Sequence, residues 1–309
     1  MKKQIGRRIA AICSVAVLGA GAACMFAGCT SKHPEVTITY SFNDKDYKVE
    51  YTLSRLDAPQ TVKHFIELAD AGYYDGTIIH DYDESHLFGG GYTLNEDKNG
   101  ITAKDYFAEL PRLEKEKGIT FTQSVWMLSE GHAPLYTVYG EFSDNAYEYG
   151  GKEYRHQRGA LVMYYSQKDF NRDVRTIRND GGKNNDETGE KYDSKAYKYN
   201  SATSLFYTYY GGGNTALDKQ YAVFGMVKNY SDQLEPLIKA INEYKEGLPE
   251  EEVFTETTDE ALDKLDHLAD FFSAEVRDYF AAVRTLDKVT YNTPIDKPII
   301  IKSVKVNKY

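Results

Sequence analysis

Within the seven residues His80 to His86 the chain places His80, Asp81, Asp83 and His86, which are donor types that ligate zinc and similar ions. Asp81 and Asp83 are two residues apart and would share one face of a strand. The two histidines fall on different expected elements, however, and His80 reads better as a hydrogen-bonded structural residue, so no metal is assigned. A run at 179–190, NDGGKNNDETGE, carries oxygen ligands suited to calcium. It lacks the alternating ligands, obligatory glycine and terminal Glu of a calcium loop, and reads as a solvated loop. Serine, histidine and aspartate occur without a nucleophile-elbow pattern, which gives no support to hydrolysis. No cofactor is expected.

The elements that must hold these residues are mostly strands. Val36 to Phe42 and Tyr47 to Ser54 alternate as half-buried strands do, with Asn43-Asp44 between them as a hairpin signal. Asp57 and Pro59 open a helix whose Val62, Phe65, Ile66 and Ala69 fall on one face, and Gly72 ends it in the left-handed conformation. Thr77, Ile78 and Ile79 are β-branched and lead toward Gly89, Gly90 and Gly91, where backbone can approach backbone. Thr102 to Lys117 reads as a charged helix, interrupted at Pro111. Asn200 to Tyr210 and Tyr221 to Lys228 read as strands, and Ser231 caps a helix ending at Gly247. A long helix is predicted over 259–284, and Pro298 to Val306 closes the chain as a strand.

The first 28 residues have the form of an export signal. Lys2, Lys3, Arg7 and Arg8 precede an apolar stretch that ends in Phe26-Ala27-Gly28-Cys29, which predicts cleavage and lipidation at Cys29, a short tether over 29–34, and an extracytoplasmic, membrane-anchored protein. All three cysteines lie in or beside this segment, so no disulfide framework is expected. Its loss would remove four basic residues and no acidic one, taking the formal charge from -10 to -14. Such acidity argues against nucleic acid as a partner.

The order TVKHFIELADAGYYDGTIIH, a Gly-Gly, GEF, RGAL, NSATSLF and YAVFGMV, spread from about Ala58 to Val227, resembles the cyclophilin-type peptidyl-prolyl cis-trans isomerases. The resemblance implies a mainly β domain over 35–309: a closed eight-stranded antiparallel barrel capped by two helices, with insertions near 95–138, 167–199 and 247–288 that carry further helices. It also implies proline-containing peptides or exported proteins as partners and isomerisation of X-Pro bonds as the activity.

That activity needs an apolar cup for the proline ring and a fixed donor to the prolyl nitrogen, because the bond rotates over a barrier of roughly 18 to 20 kcal/mol. In the family the donor is an Arg directly after the strand histidine. Here that residue is Asp81, which only accepts hydrogen bonds when ionised. The resemblance aligns Gly89 with the family's Gln ahead of two glycines. It places His86 and Leu87 at cup positions, Tyr164 and Tyr165 at an Ala-Asn pair, Leu205 at another Gln, Tyr207 at a Phe, Ala216 at a Trp and Tyr221 at a His, while Leu217 is kept. The expected protein is therefore an isomerase of weak activity or a non-catalytic peptide- or protein-binding module on the same barrel. Tyrosine supplies 27 of 309 residues, a composition suited to a groove that grips by ring contact, with carbohydrate stacking as another use and simple packing as the bland one. Arg172, Arg175 and Arg178 are candidate substitutes for the missing guanidinium.

Overall fold

The computed structural model describes residues 31–98, 100–104, 106–121, 125–127, 133–134, 138–145, 147, 153–164, 172–177, 192–197, 203–249, 255–258, 289–294 and 296–309. The expected signal at 1–28, Cys29, Tyr165, Arg178, the run at 179–190 and the helix predicted over 259–284 lie outside the described residues. The strands are β1 (Glu35–Phe42), β2 (Lys45–Leu53), β3 (Thr77–Ile78), β4 (Asp81–Tyr82), β5 (His86–Gly89), β6 (Tyr92–Leu94), β7 (Ile101–Ala103), β8 (Val125–Met127), β9 (Ala133–Pro134), β10 (Ala160–Met163), β11 (Arg172–Ile177), β12 (Tyr192–Tyr197), β13 (Phe206–Tyr209), β14 (Ala222–Val227), β15 (Thr255–Thr258), β16 (Val289–Asn292) and β17 (Ile300–Lys308). The helices are α1 (Pro59–Asp70), α2 (Tyr106–Lys117) and α3 (Glu235–Glu246).

One sheet dominates, with the order β15-β16-β4-β5-β13-β10-β14-β2-β1-β17-β3. From β4 to β3 it is a curled series of nine antiparallel strands that forms a half-barrel, and β16 joins β4 through a single parallel pairing, Asn292 with Asp81. The expectation of a closed eight-stranded barrel is corrected here. The segment 77–82, which would close such a cylinder, breaks at Ile79-His80 into two short pieces that pair at opposite ends of the series: β3 with β17, and β4 with β5. The break is itself anchored on both sides, since the Ile79 N–H donates to Ile299 O at 2.8 Å and the His80 N–H to Phe88 O at 3.0 Å. A four-stranded sheet, β12-β11-β8-β9, uses parts of the expected insertions, and β6 and β7 form a separate hairpin.

Local chemistry accounts for much of this. The β1–β2 hairpin turns on Asn43 and Asp44, both with positive φ, as a two-residue turn requires. Helix α1 buries Val62, Phe65, Leu68 and Ala69, with Phe65 meeting the rings of Tyr74, Phe206 and Phe224 at 5.0 to 5.5 Å. Each such side chain contributes about 1.5 to 3 kcal/mol on burial. Helix α3 turns Leu237, Ile238 and Ile241 to the same core. Its N-terminal side is a π-helical turn whose cap is Asn229, accepting from the Asp232 N–H, in place of the expected Ser231. Helix α2 begins at Tyr106, since Thr102 and Ala103, expected as its start, belong to strand β7. Among the described residues no helix is long and apolar enough to cross a membrane.

The start of α1 is held from a distance. Asp57 does not cap it, and accepts instead from the Glu153 and Tyr154 N–H groups. The N–H groups of Gln60 and Thr61 donate to the carboxylate of Glu141 at 3.0 and 2.8 Å, and the Tyr147 hydroxyl donates to the same group at 3.0 Å. Glu141 is buried, and burial outweighs these donors and pushes its carboxyl up to about 7. An acid whose folded-state value is raised gives stability that is complete below its unfolded value and lost as pH rises through the folded one. The thermal midpoint should therefore fall between pH 5 and pH 8, and Glu141→Gln should flatten that fall. A gap between the two proteins that is the same at every pH would show that the carboxyl stays ionised throughout.

Candidate functional site

The pleat of the large sheet sorts its side chains onto two faces. Toward the core point Tyr82, Leu87, Phe206, Leu161, Met163 and Phe224. On the opposite face a second apolar cluster gathers Phe142, Ala160, Val162, Tyr207, Tyr209, Tyr221 and Val223, with Phe88, Tyr154, Tyr164, Leu217 and Met226 packed against it. Strand pairing fixes a row across this outer face: Asp81 opposite Phe88, Phe88 opposite Tyr207, Tyr207 opposite Val162, and Val162 opposite Val223. His86 lies in the next row, opposite Tyr209.

The structure thus brings His86, Tyr164, Tyr207, Leu217 and Tyr221 together, with Asp81 at the end of their face. It places three of the expected groove residues elsewhere. Leu87 is fully buried in the core, and a Cβ on Gly89 would meet Ile79 and Ile301 at 2.9 and 3.1 Å, also on the core side. With a two-residue period, His86 on the outer face requires Phe88 there and excludes its neighbours. Leu205 packs with Ile78, Tyr92 and Ile101, close against Gly91, because an apolar side chain at that position follows the small β6–β7 cluster. Tyr165 lies outside the described residues. Arg172 and Arg175 lie on β11 in the separate sheet. Ala216 is exposed and opens a short turn before Tyr221.

Phe88, Tyr209 and His156 join the face without having been singled out. The alternation His86-Leu87-Phe88-Gly89 contained the signal for Phe88. His156 had no local signal, because it reaches its partners only through the fold. Its Nε2 is 2.8 Å from the Tyr207 hydroxyl, its backbone N–H donates to Asp218, and its ring lies 5.0 to 6.0 Å from those of Tyr207, Tyr209 and Tyr221. Burial pushes this imidazole down to about 4, so it is neutral at physiological pH.

Two aspartates near the rim differ in their surroundings. Asp83 accepts from the Ser85 and His86 N–H groups, both at 2.7 Å, and its carboxylate lies 2.8 Å from His86 Nδ1. Burial opposes ionisation of Asp83, but these donors hold its carboxyl below the usual range. Asp81 is half-buried, and burial together with the charge of Asp83 pushes it up to about 6. Its charge in turn contributes to holding the Tyr164 phenol up. His80 is buried, pushed down to about 3, and lies 4.3 Å from the Tyr92 ring. Among the described residues no group of three or more His, Cys, Asp or Glu is placed to hold a metal.

The face is filled by its own rings. Tyr207 is only 2% exposed, Tyr164 stacks on Tyr221 at 6.4 Å and 12°, and Phe88 meets Tyr164 edge-on at 5.3 Å. The Tyr207 hydroxyl helps to keep it so. Tyr207→Phe should cost about 1 to 3 kcal/mol by leaving the His156 nitrogen without that partner, read as a lowered urea midpoint. An unchanged midpoint would show that the hydroxyl does not hold the histidine.

Residues 37–176 match the sequence model of the family described as cyclophilin type peptidyl-prolyl cis-trans isomerase/CLD. A search of curated proteins finds no match. Among solved structures, a cyclophilin type peptidyl-prolyl cis-trans isomerase of Cryptosporidium parvum is similar at 16% identity and a TM-score of 0.37, over 90% of this chain and 99% of that one. The same Cryptosporidium parvum protein in the presence of the dipeptide Ala-Pro gives 16% identity and a TM-score of 0.38, over 89% and 99% of the two chains. The Mimivirus cyclophilin gives 15% and 0.36, over 72% and 84%. The large sheet continues past the matched residues through β13, β14 and β17. By its family match, this chain carries a cyclophilin-type peptidyl-prolyl cis-trans isomerase domain, recognised over residues 37–176.

Proposed function

We propose that this protein is an extracytoplasmic, lipid-anchored cyclophilin-type domain that engages proline-containing segments of exported polypeptides and turns their X-Pro bonds slowly. The observation that carries this is the position of Asp81. It stands on the outer face in one row with Phe88 and Tyr207, at the residue after the strand histidine, where the family resemblance puts the guanidinium donor. None of the arginines whose side chains are described pairs with it. Arg158 donates to Tyr210 O and lies over Tyr230, and Arg155 pairs with Asp218.

Rotation about the prolyl bond needs no nucleophile, only a group that stabilises the twisted nitrogen. An ionised carboxylate cannot supply it. Loss of one preorganised donor costs about 2.7 to 4 kcal/mol, or roughly a hundred- to a thousandfold in rate. The deep burial of Tyr207 favours a second reading, a binding module with no turnover, because the ring fills space that a proline ring would need.

An isomerisation assay on a chromogenic Ala-Pro peptide separates the two. At pH 7.5 turnover should lie only slightly above background. It should rise as pH falls through about 6, because a protonated Asp81 carries an O–H donor. Asp81→Asn, which keeps the shape and supplies an N–H donor at every pH, should raise turnover at pH 7.5 and remove the pH dependence. No turnover in either protein at any pH, with peptide still bound, would establish the binding module in place of the slow isomerase.

The anchor is tested separately. Cys29→Ser should abolish incorporation of a labelled fatty acid and release the protein from the membrane fraction; retention of label or of membrane association would remove lipidation at Cys29 from the proposal.

A further inference from the structure

Several buried or half-buried carboxylates among the described residues are met by donors within the fold. Asp57 receives the Glu153 and Tyr154 N–H groups. Asp83 receives two backbone N–H groups and the His86 ring, and Glu141 receives Gln60, Thr61 and the Tyr147 hydroxyl. Asp57 and Glu141 tie distant segments together, and Asp83 closes its own turn. Asp81 has no side-chain donor of this kind among the described residues, where its help comes from the Tyr82 and Asn292 backbone and the field of His86. His86 is already bound to Asp83 at 2.8 Å, and none of the lysines and arginines whose side chains are described is paired with Asp81.

The surroundings of this carboxylate are aromatic. Phe88 is its direct cross-strand partner, so the two side chains share a face at neighbouring positions. The Phe88 ring lies 5.3 Å from Tyr164 and 5.1 Å from Tyr207, and Tyr164 stacks in turn on Tyr221. Phe88, Tyr164 and His86 are half-buried, so this end of the face is open to a ligand while Tyr207 below it is not. A half-buried anion next to ring faces attracts a cation twice over, through its charge in a medium less polar than water and through the ring quadrupoles.

We infer that the groove selects its polypeptide by charge, taking segments with a lysine or arginine beside the proline and seating that cation between Asp81 and the Phe88 and Tyr164 rings. This rests on the reading of the face as a proline-peptide groove and adds the substrate class. The family's guanidinium would repel such a side chain. Here the charge at that position is inverted, and the preference inverts with it.

The competing explanation is the acidity of the whole molecule, whose formal charge of -10 draws any basic peptide. The test uses the full chain in detergent and three fluorescent peptides with a central Ala-Pro, flanked by lysine, glutamine or glutamate, with binding read by anisotropy at low ionic strength. The lysine peptide should bind about tenfold more tightly than the glutamate peptide. Asp81→Asn should bring that ratio close to one, whereas Glu246→Gln, which removes the same charge from the exposed end of α3, should leave it. In the unaltered protein the ratio should also fall as pH drops from 7.5 to 5, as Asp81, pushed up to about 6, takes up a proton beside the Asp83–His86 pair, and this keeps the test decisive if Asp81→Asn folds poorly. Equal affinity for all three peptides, or a ratio that survives Asp81→Asn, overturns the inference and leaves the proline groove standing. Failure of every peptide to bind overturns the groove itself and the inference with it.

Discussion

The two-residue period of side chains along β4, β5 and β13 is the constraint on which both the core and the candidate site depend. It puts Tyr82, Leu87 and Phe206 inside while Asp81, Phe88 and Tyr207 lie outside. A slip of one residue would exchange the two sets, so register decides which side chains form the candidate site. The backbone at Gly90 helps to hold it. With φ at +92°, and with Ser204 O only 2.4 Å from where a Cβ would lie, the chain leaves β5 by a path open to glycine alone. The site is therefore specified by packing on the far side of the sheet as much as by the residues that face outward.

The parts of the fold that could be read along the chain are those fixed by short-range chemistry. Asn43-Asp44 announces its turn, the spacing of Val62, Phe65 and Ala69 announces α1, and Gly72 with φ +70° ends it. The parts that could not be read are those fixed by distant partners. Glu141 finds the start of α1 from eighty residues away, and nothing near Pro59 points to it. The break at Ile79-His80 is held by Ile299 on one side and Phe88 on the other, so a run of β-branched residues that reads as one strand becomes two.

The site was legible as a list of positions and less so as a surface. Family resemblance pointed to the segment, but aligning on the glycines assigned Leu87 and Gly89 to the groove against the alternation that their own neighbours impose. Phe88 was available from that alternation. His156 was not, since its role comes from the Tyr207 hydroxyl, which approaches it only when β10 and β13 are paired. Leu205 shows the same dependence on context. Where a polar side chain could reach out over the groove, an apolar one falls back against Gly91 and Tyr92.

The tyrosines decide between a cup and a platform. A cup for a proline ring must be apolar and vacant, and Tyr207 is instead held in place by His156 and covered by Phe88, Tyr164 and Tyr221. Opening that space would expose rings that are among the largest buried groups on this face and would break a buried hydrogen bond, a cost that a single proline's contacts would have to exceed. Binding across the top of the rings requires no such rearrangement, because the partly buried side chains Phe88, Tyr164 and Leu217 already offer apolar area at the surface. A polypeptide laid on that platform gains contact with little distortion, whereas one that must insert its proline pays the opening cost first. This difference in cost favours contact across the rings over insertion of a proline, independently of the charge at Asp81.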